Sequence, residues 1–128
     1  MNATELAQLI AATADAKSGN DVVILDVSEI LTFCDDFVIV SASNTRLVGA
    51  ICEDIEAQVA AALDVRPNAV EGLDVRRWVL MDYGDVVVHV FLDEERAYYR
   101  LDRLYGDAPR VPFTPERRGP GESADVSA

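Results

Sequence analysis

The run from Trp78 to Leu92, WVLMDYGDVVVHVFL, constrains the fold more than any other stretch of the chain. Two strand-like segments, 76–83 and 86–92, flank Gly84 and Asp85. A two-residue connection containing glycine between such segments predicts a tight hairpin. Alternation along a strand puts Trp78, Leu80 and Asp82 on one face, with Val79, Met81 and Tyr83 on the other.

Two further apolar runs, DVVILDV at 21–27 and FVIVSA at 37–42, are almost continuous, which predicts strands covered on both faces. Helices are predicted on either side of them. Residues 4–16 place Leu6, Leu9, Ile10 and Thr13 on one side, with Lys17 near the carbonyl end and Gly19 as a left-handed stop. Ser43 or Asn44 can cap the longest helix, because either side-chain oxygen accepts an orphan N–H. Its stripe of Leu47, Val48, Ile51, Cys52, Ile55, Val59, Ala62 and Leu63 runs until Asp64, Arg66, Pro67 and Asn68 end it. A last helix is expected over 93–106, with acids first, Arg100 and Arg103 later, Gly106 at the end, and Ala97, Tyr98, Leu101, Leu104 and Tyr105 inward.

The order α-β-β-α-β-β-α, with a short extra strand around Ala69 and Val70, implies a small mixed β-sheet covered by helices, an α/β (α+β) sandwich. A chain of 128 residues carries one core. The ordered domain is expected over 1–106. Residues 107–128 hold four of the five prolines and no periodicity, which predicts a disordered tail.

Charge and composition narrow the function. The net charge is −12, and residues 107–128 hold four acids against three arginines, so −11 stays on residues 1–106. Such a body repels nucleic-acid phosphate at long range and favours basic partners. The arginines at 76–77 and 96–103 are interleaved with acids, as on a solvated face rather than an RNA-binding patch. No apolar run approaches the length of a membrane span, and the N-terminus lacks a signal-peptide pattern, so a cytosolic protein with no membrane partner is expected.

Candidate catalytic groups are sparse. Asp26, Asp35, Asp36, Asp82, Asp85 and Asp93 lie near predicted strand ends, where hard cations could bind, but aspartate also suits turns. A metal-dependent nucleotidyltransferase wants a Gly-Ser phosphate grip and two acids at alternate strand positions. Asp35 and Asp36 are adjacent, and no Gly-Ser pair occurs. Neither phosphate-loop pattern is present. The single histidine, His89, sits mid-strand and reads as a hydrogen-bonded structural residue rather than a catalytic one, and Cys34 and Cys52 read as buried thiols without metal spacing. No cofactor, metal site or catalytic residue is therefore assigned. Trp78, the only tryptophan, is a candidate binding hot spot, with core packing as the alternative.

The residues DVVILDV, the aspartate-rich turn into Asp36-Phe37-Val38-Ile39, Glu71-Gly72, the block Trp78 to Phe91, and Glu95 to Tyr105 together resemble the ribosomal silencing factor family, also called Iojap-like. The similarity covers about residues 3–108. It implies a nucleotidyltransferase-like core with no established enzymatic activity. It further implies binding to large-subunit ribosomal protein fourteen, which sterically blocks joining of the small and large subunits and lowers translation when nutrients are scarce. Trp78, Asp82, Tyr83, Tyr98 and Tyr99 are the expected partner surface. A metal-dependent nucleotidyltransferase-like enzyme using Asp26, Asp35 and Asp36 is the alternative, and the free protein could be a monomer or a homodimer. Two positions depart from the family pattern: Ala42 stands where glycine is common, and Tyr105 where many members carry tryptophan.

Overall fold

The computed structural model describes residues 2–113. In chain order they form α1 (Ala3–Ala16), β1 (Asn20–Asp26), β2 (Asp36–Ala42), α2 (Thr45–Leu63), β3 (Ala69–Glu71), β4 (Trp78–Asp82), β5 (Val86–Leu92), α3 (Asp93–Tyr99) and α4 (Leu101–Leu104). The strands make one five-stranded mixed sheet in the order β1-β2-β5-β4-β3. Only β2 and β5 run parallel; the other neighbours are antiparallel.

The hairpin forms as the sequence predicts. Asp82 pairs with Val87, and the Tyr83 N–H donates to the Val86 carbonyl at 2.9 Å, leaving Gly84 and Asp85 as the two-residue loop. Gly84 has φ +90° and Asp85 does not share that region, the pattern of a type II′ turn, which needs glycine first.

Each sheet face carries its own apolar cluster. On the first, α1 and α2 lay Leu6, Ile10, Val48, Ile51, Ile55 and Val59 against Ile24, Val38, Val40, Val79, Met81, Val88 and Val90. On the second, Leu25, Val27, Phe37, Ile39 and Phe91 pack with Cys34, Leu101 and Ala108. The strict alternation of β2, β4 and β5 feeds both clusters. Asn44, rather than Ser43, caps α2, its side chain accepting from the Leu47 N–H at 2.8 Å. Asp64 ends that helix in the left-handed region at φ 56°, and Ala62, expected inward, is exposed.

Several expectations need correction. Gly19 does not stop α1 by a left-handed turn; Ser18 takes that conformation at φ 68°. Glycine is needed at 19 because a Cβ there would collide with the Val40 side chain and lie 2.8 Å from the Ala14 carbonyl oxygen. The expected single helix over 93–106 is broken at Arg100, which has φ 52°. Arg96 and Leu101 are both buried, yet five residues along one continuous helix would set them about 140° apart. The left-handed break lets both turn inward. It also changes the phase, so Ala97, Tyr98 and Leu104 are exposed.

The expected tail also begins later than Gly106. The Asp26 N–H donates to the Pro109 carbonyl at 2.8 Å and the Val111 N–H to the Ile24 carbonyl at 2.9 Å, so residues 109–111 lie along β1. Ala108 is buried and Phe113 packs on the first cluster. These contacts give residues 107–113 the burial and backbone partners that proline content alone did not foretell. The rest of the expected tail, 114–128, lies outside the described residues.

Candidate functional site

The second sheet face is covered over β1 and β2 by α4 and the segment after it, while over β4 it is partly open. Along it runs a row of aromatic rings. Exposed Tyr98 meets Tyr99 edge-on at 5.0 Å between centroids, and Tyr99 lies 4.7 Å from Trp78. Trp78 stacks on Phe91 at 4.8 Å. His89 continues the row to Phe37 at 4.6 Å, and Phe37 meets Tyr105 at 5.3 Å, nearly perpendicular. The departure at Tyr105 is thus a packing ring on Phe37, and that at Ala42 is a fully buried end of β2.

Trp78 is half-buried and held at both ends. Its Nε1–H donates to His89 Nδ1 at 3.2 Å, which makes the His89 tautomer the one protonated at Nε2. Burial holds the imidazole neutral, pushing it down to about 4, as the structural reading of His89 requires. Beside Trp78, Arg77 pairs with Glu95 and, at 3.5 Å, with Glu94, tying β4 to the start of α3.

Of the five residues expected to form the partner surface, the structure gathers Trp78, Tyr98 and Tyr99. Asp82 lies on the same face farther along β4, where its carboxylate accepts the Gly84 N–H at 2.8 Å. Tyr83 does not belong. It follows the alternation of β4 onto the first face, is 7% exposed, and packs in the helix-covered cluster. Burial, then the charge of Glu56, pushes its hydroxyl up to about 12. Phe37, His89, Phe91 and Tyr105 were missed as members of the row. The alternation that put Trp78 on its face also assigns Phe91 and His89 there.

Acids gather at the hairpin end of the sheet. Asp26 and Asp36 sit directly opposite each other across β1 and β2. Asp36 is buried, and desolvation, followed by the charges of Asp26 and Asp35, pushes its carboxyl up to about 6. Asp26 is lowered by hydrogen bonds from the Ser28 hydroxyl and N–H. Among the described residues no group of three or more His, Cys, Asp or Glu side chains converges to hold a metal. Both cysteines are free and buried; burial first and nearby acids second push Cys34 up to about 11 and Cys52 up to about 12. Neither thiol ionises appreciably at neutral pH. No described helix is long and apolar enough to cross a membrane.

Fold and face together define a small α+β domain with one sheet face sealed by helices and the other left partly open around an aromatic row. The family described as "Ribosomal silencing factor during starvation" matches residues 1–127. The chain is 41% identical to Ribosomal silencing factor RsfS of Bacillus subtilis over 109 residues, covering 85% of this chain and 92% of that one. It is 32% identical over 117 residues to the chloroplastic protein Iojap of Zea mays, covering 85% and 48%. A crystal structure of a Chromobacterium violaceum protein superposes with a TM-score of 0.79 at 28% identity, covering 94% of this chain and 91% of that one. The chain belongs to the ribosomal silencing factor family. The match runs past residue 108, so the resemblance extends farther along the chain than the motifs alone indicated.

Proposed function

We propose that this protein is a cytoplasmic translation repressor that docks on ribosomal protein fourteen of the large subunit through the open sheet face and thereby blocks joining of the small subunit. The observation that carries the reading is Trp78, half-buried between Phe91 and Tyr99, with its indole N–H tied to His89. Such an anchor offers a large rigid apolar area beside exposed tyrosines, the composition of a binding hot spot. The −12 charge of the chain favours a basic protein patch over ribosomal RNA. The family model and the Bacillus subtilis relative are named for ribosomal silencing, which supports a steric rather than a catalytic role.

Co-sedimentation with purified large subunits tests docking, and light scattering of subunit joining tests the block. Normal joining at saturating protein would overturn occlusion. In the free protein the same face is open to a second copy, and a homodimer formed there would compete with docking, which mass measurement across a concentration series reads directly. The nucleotidyltransferase alternative predicts turnover with Mg²⁺ or Mn²⁺ that disappears in a folded Asp36→Asn variant.

A further inference from the structure

At the end of the sheet opposite the Asp26–Asp36 pair lies an open cavity of about 600 Å³ that the docking face does not use. Its lining includes Asn20 and Ser41 from the ends of β1 and β2, with Arg96, Arg100, Arg103 and Arg110 around them. Four of the eleven basic residues of a strongly acidic chain thus surround one concavity. Asp21 and Asp93 also line it, so cations outnumber acids two to one.

In the sequence, Arg96, Arg100 and Arg103 look like part of a solvated, charge-balanced helix face. The break at Arg100 changes that. It carries Arg103 out of the phase of α3, and the segment folded back along β1 brings Arg110 to the same rim. Glu94 and Glu95, which directly precede Arg96 in the sequence, face the other way and hold Arg77. Arg100, Arg103 and Arg110 form no ion pair with a described carboxylate. At the cavity floor the buried Arg96 guanidinium donates to the Asn20 carbonyl at 3.2 Å and to Ser41 Oγ at 3.3 Å, which fixes its plane. The Asn20 amide is in turn 3.4 Å from both Asp93 carboxylate oxygens. The cavity therefore has an oriented, buried guanidinium at its floor and a rim of three guanidinium groups that form no ion pair among the described residues.

From this arrangement we infer that the cavity is a binding site for a free nucleoside di- or triphosphate, held through its phosphates by the arginine rim. Guanidinium groups match phosphate oxygens in paired, planar hydrogen bonds, and several of them around one hollow suit a chain of phosphates better than a single carboxylate. A volume of this size is that of a small-ligand pocket. A free nucleotide is favoured over RNA because the surrounding acidic body opposes a long polyanion but not a ligand small enough to enter the hollow. Binding is separate from turnover here, since the acids of the hairpin end lie at the other end of the strands. It is separate from ribosome docking too, since Trp78 does not line the cavity.

The test is calorimetric titration of the full-length protein with GDP, GTP, ADP, ATP, pyrophosphate and inorganic phosphate, together with a single-stranded RNA oligonucleotide. At least one nucleotide should bind, at least about tenfold more tightly than inorganic phosphate, with affinity falling as salt rises. Arg103→Gln and Arg110→Gln, both at exposed positions, should each weaken it by about tenfold. Arg103→Lys should restore part of the loss, and thermal melts should confirm that every variant folds. No binding of any nucleotide at millimolar concentration, or binding indifferent to both glutamine variants, would overturn the proposal. So would arginine-dependent binding confined to RNA. A Trp78→Ala variant that loses ribosome docking but keeps nucleotide binding would separate this site from the docking face.

Discussion

The indole N–H of Trp78 reaches across the β4–β5 ladder to Nδ1 of His89 at 3.2 Å, so the half-open aromatic surface is braced by a buried histidine of the next strand. On its other side the His89 Nε2 is buried without a hydrogen-bond partner among the described residues. The bond to Trp78 is thus the one that satisfies the imidazole acceptor.

Two substitutions separate the roles of Trp78. Trp78→Phe keeps a ring on Phe91 but orphans His89 Nδ1, and should cost about 1 kcal/mol of stability. Trp78→Ala removes the ring, and should weaken binding to ribosomal protein fourteen by about 2 kcal/mol, roughly thirtyfold, while the domain still folds. Binding measured beside urea unfolding distinguishes them. Wild-type affinity in a folded Trp78→Ala variant would remove the anchor from the docking face.

Acid should act on Asp36 and His89 in opposite senses. Asp36 is raised from 3.8 to about 6, so the folded state holds its proton more tightly; that contribution to stability is full below about pH 4 and is lost as pH rises through 6. His89 is lowered from 6.5 to about 4, so its contribution is full above pH 6.5 and is lost as pH falls through 4. Relative to wild type, Asp36→Asn should gain about 1 kcal/mol at pH 7.5 and nothing near pH 4, after allowance for solvent screening. The deficit of His89→Gln should shrink from pH 6.5 to 4. Urea titrations at three pH values read both differences, and a constant difference would contradict the assignment.

Gly72 and Gly84 both have positive φ, at 95° and 90°, yet alanine should be tolerated unequally. A Cβ on Gly72 would run into the Trp78 carbonyl oxygen, whereas one on Gly84 would meet only the Asn68 side-chain nitrogen at 3.6 Å. Gly84→Ala should therefore cost about 1 kcal/mol through backbone strain, and Gly72→Ala about 3 kcal/mol or more because backbone must move. Thermal melts of the two variants give the ranking.

Salt should discriminate the docking partner. Moderate salt should weaken binding to isolated ribosomal protein fourteen, because acidic and basic groups attract across the contact, and weaken binding to the whole subunit less, because RNA repulsion is screened at the same time. A steep loss seen only on the subunit would instead indicate RNA contact. Paired titrations on the two binders make the comparison.

The parts of the fold legible in the sequence are those set by local periodicity. Gly84-Asp85 announced its hairpin, Ser43-Asn44 the place of a cap that the structure assigns to Asn44, and the alternation of β4 separated Trp78 from Tyr83. The same alternation puts Tyr83 on the covered face, although it lies inside the family-matching block. The left-handed Arg100 was not legible, because nothing in DEERAYYRLDRLYG favours it over a continuous helix. It is imposed by the need to bury Arg96 at the sheet end and Leu101 on the second face. Long-range contact also decided the fate of Pro109 to Val111, whose composition resembles a linker, and of Gly19, whose role is clearance from Val40 rather than a turn.

Residues 109–111 cover the Ile24–Asp26 end of the outer edge of β1, and the opposite margin of the sheet is the three-residue β3. A margin that short, ending in Glu71, is a poor template for another chain's extended backbone. Self-assembly by stepwise strand accretion, the route toward fibrils, is thereby discouraged at the β3 margin and along the Ile24–Asp26 part of β1. A C-terminal cut that removed residues 109–111 would leave the whole outer edge of the seven-residue β1 without a backbone partner, and slow, concentration-dependent polymerisation of the cut protein is the expected outcome.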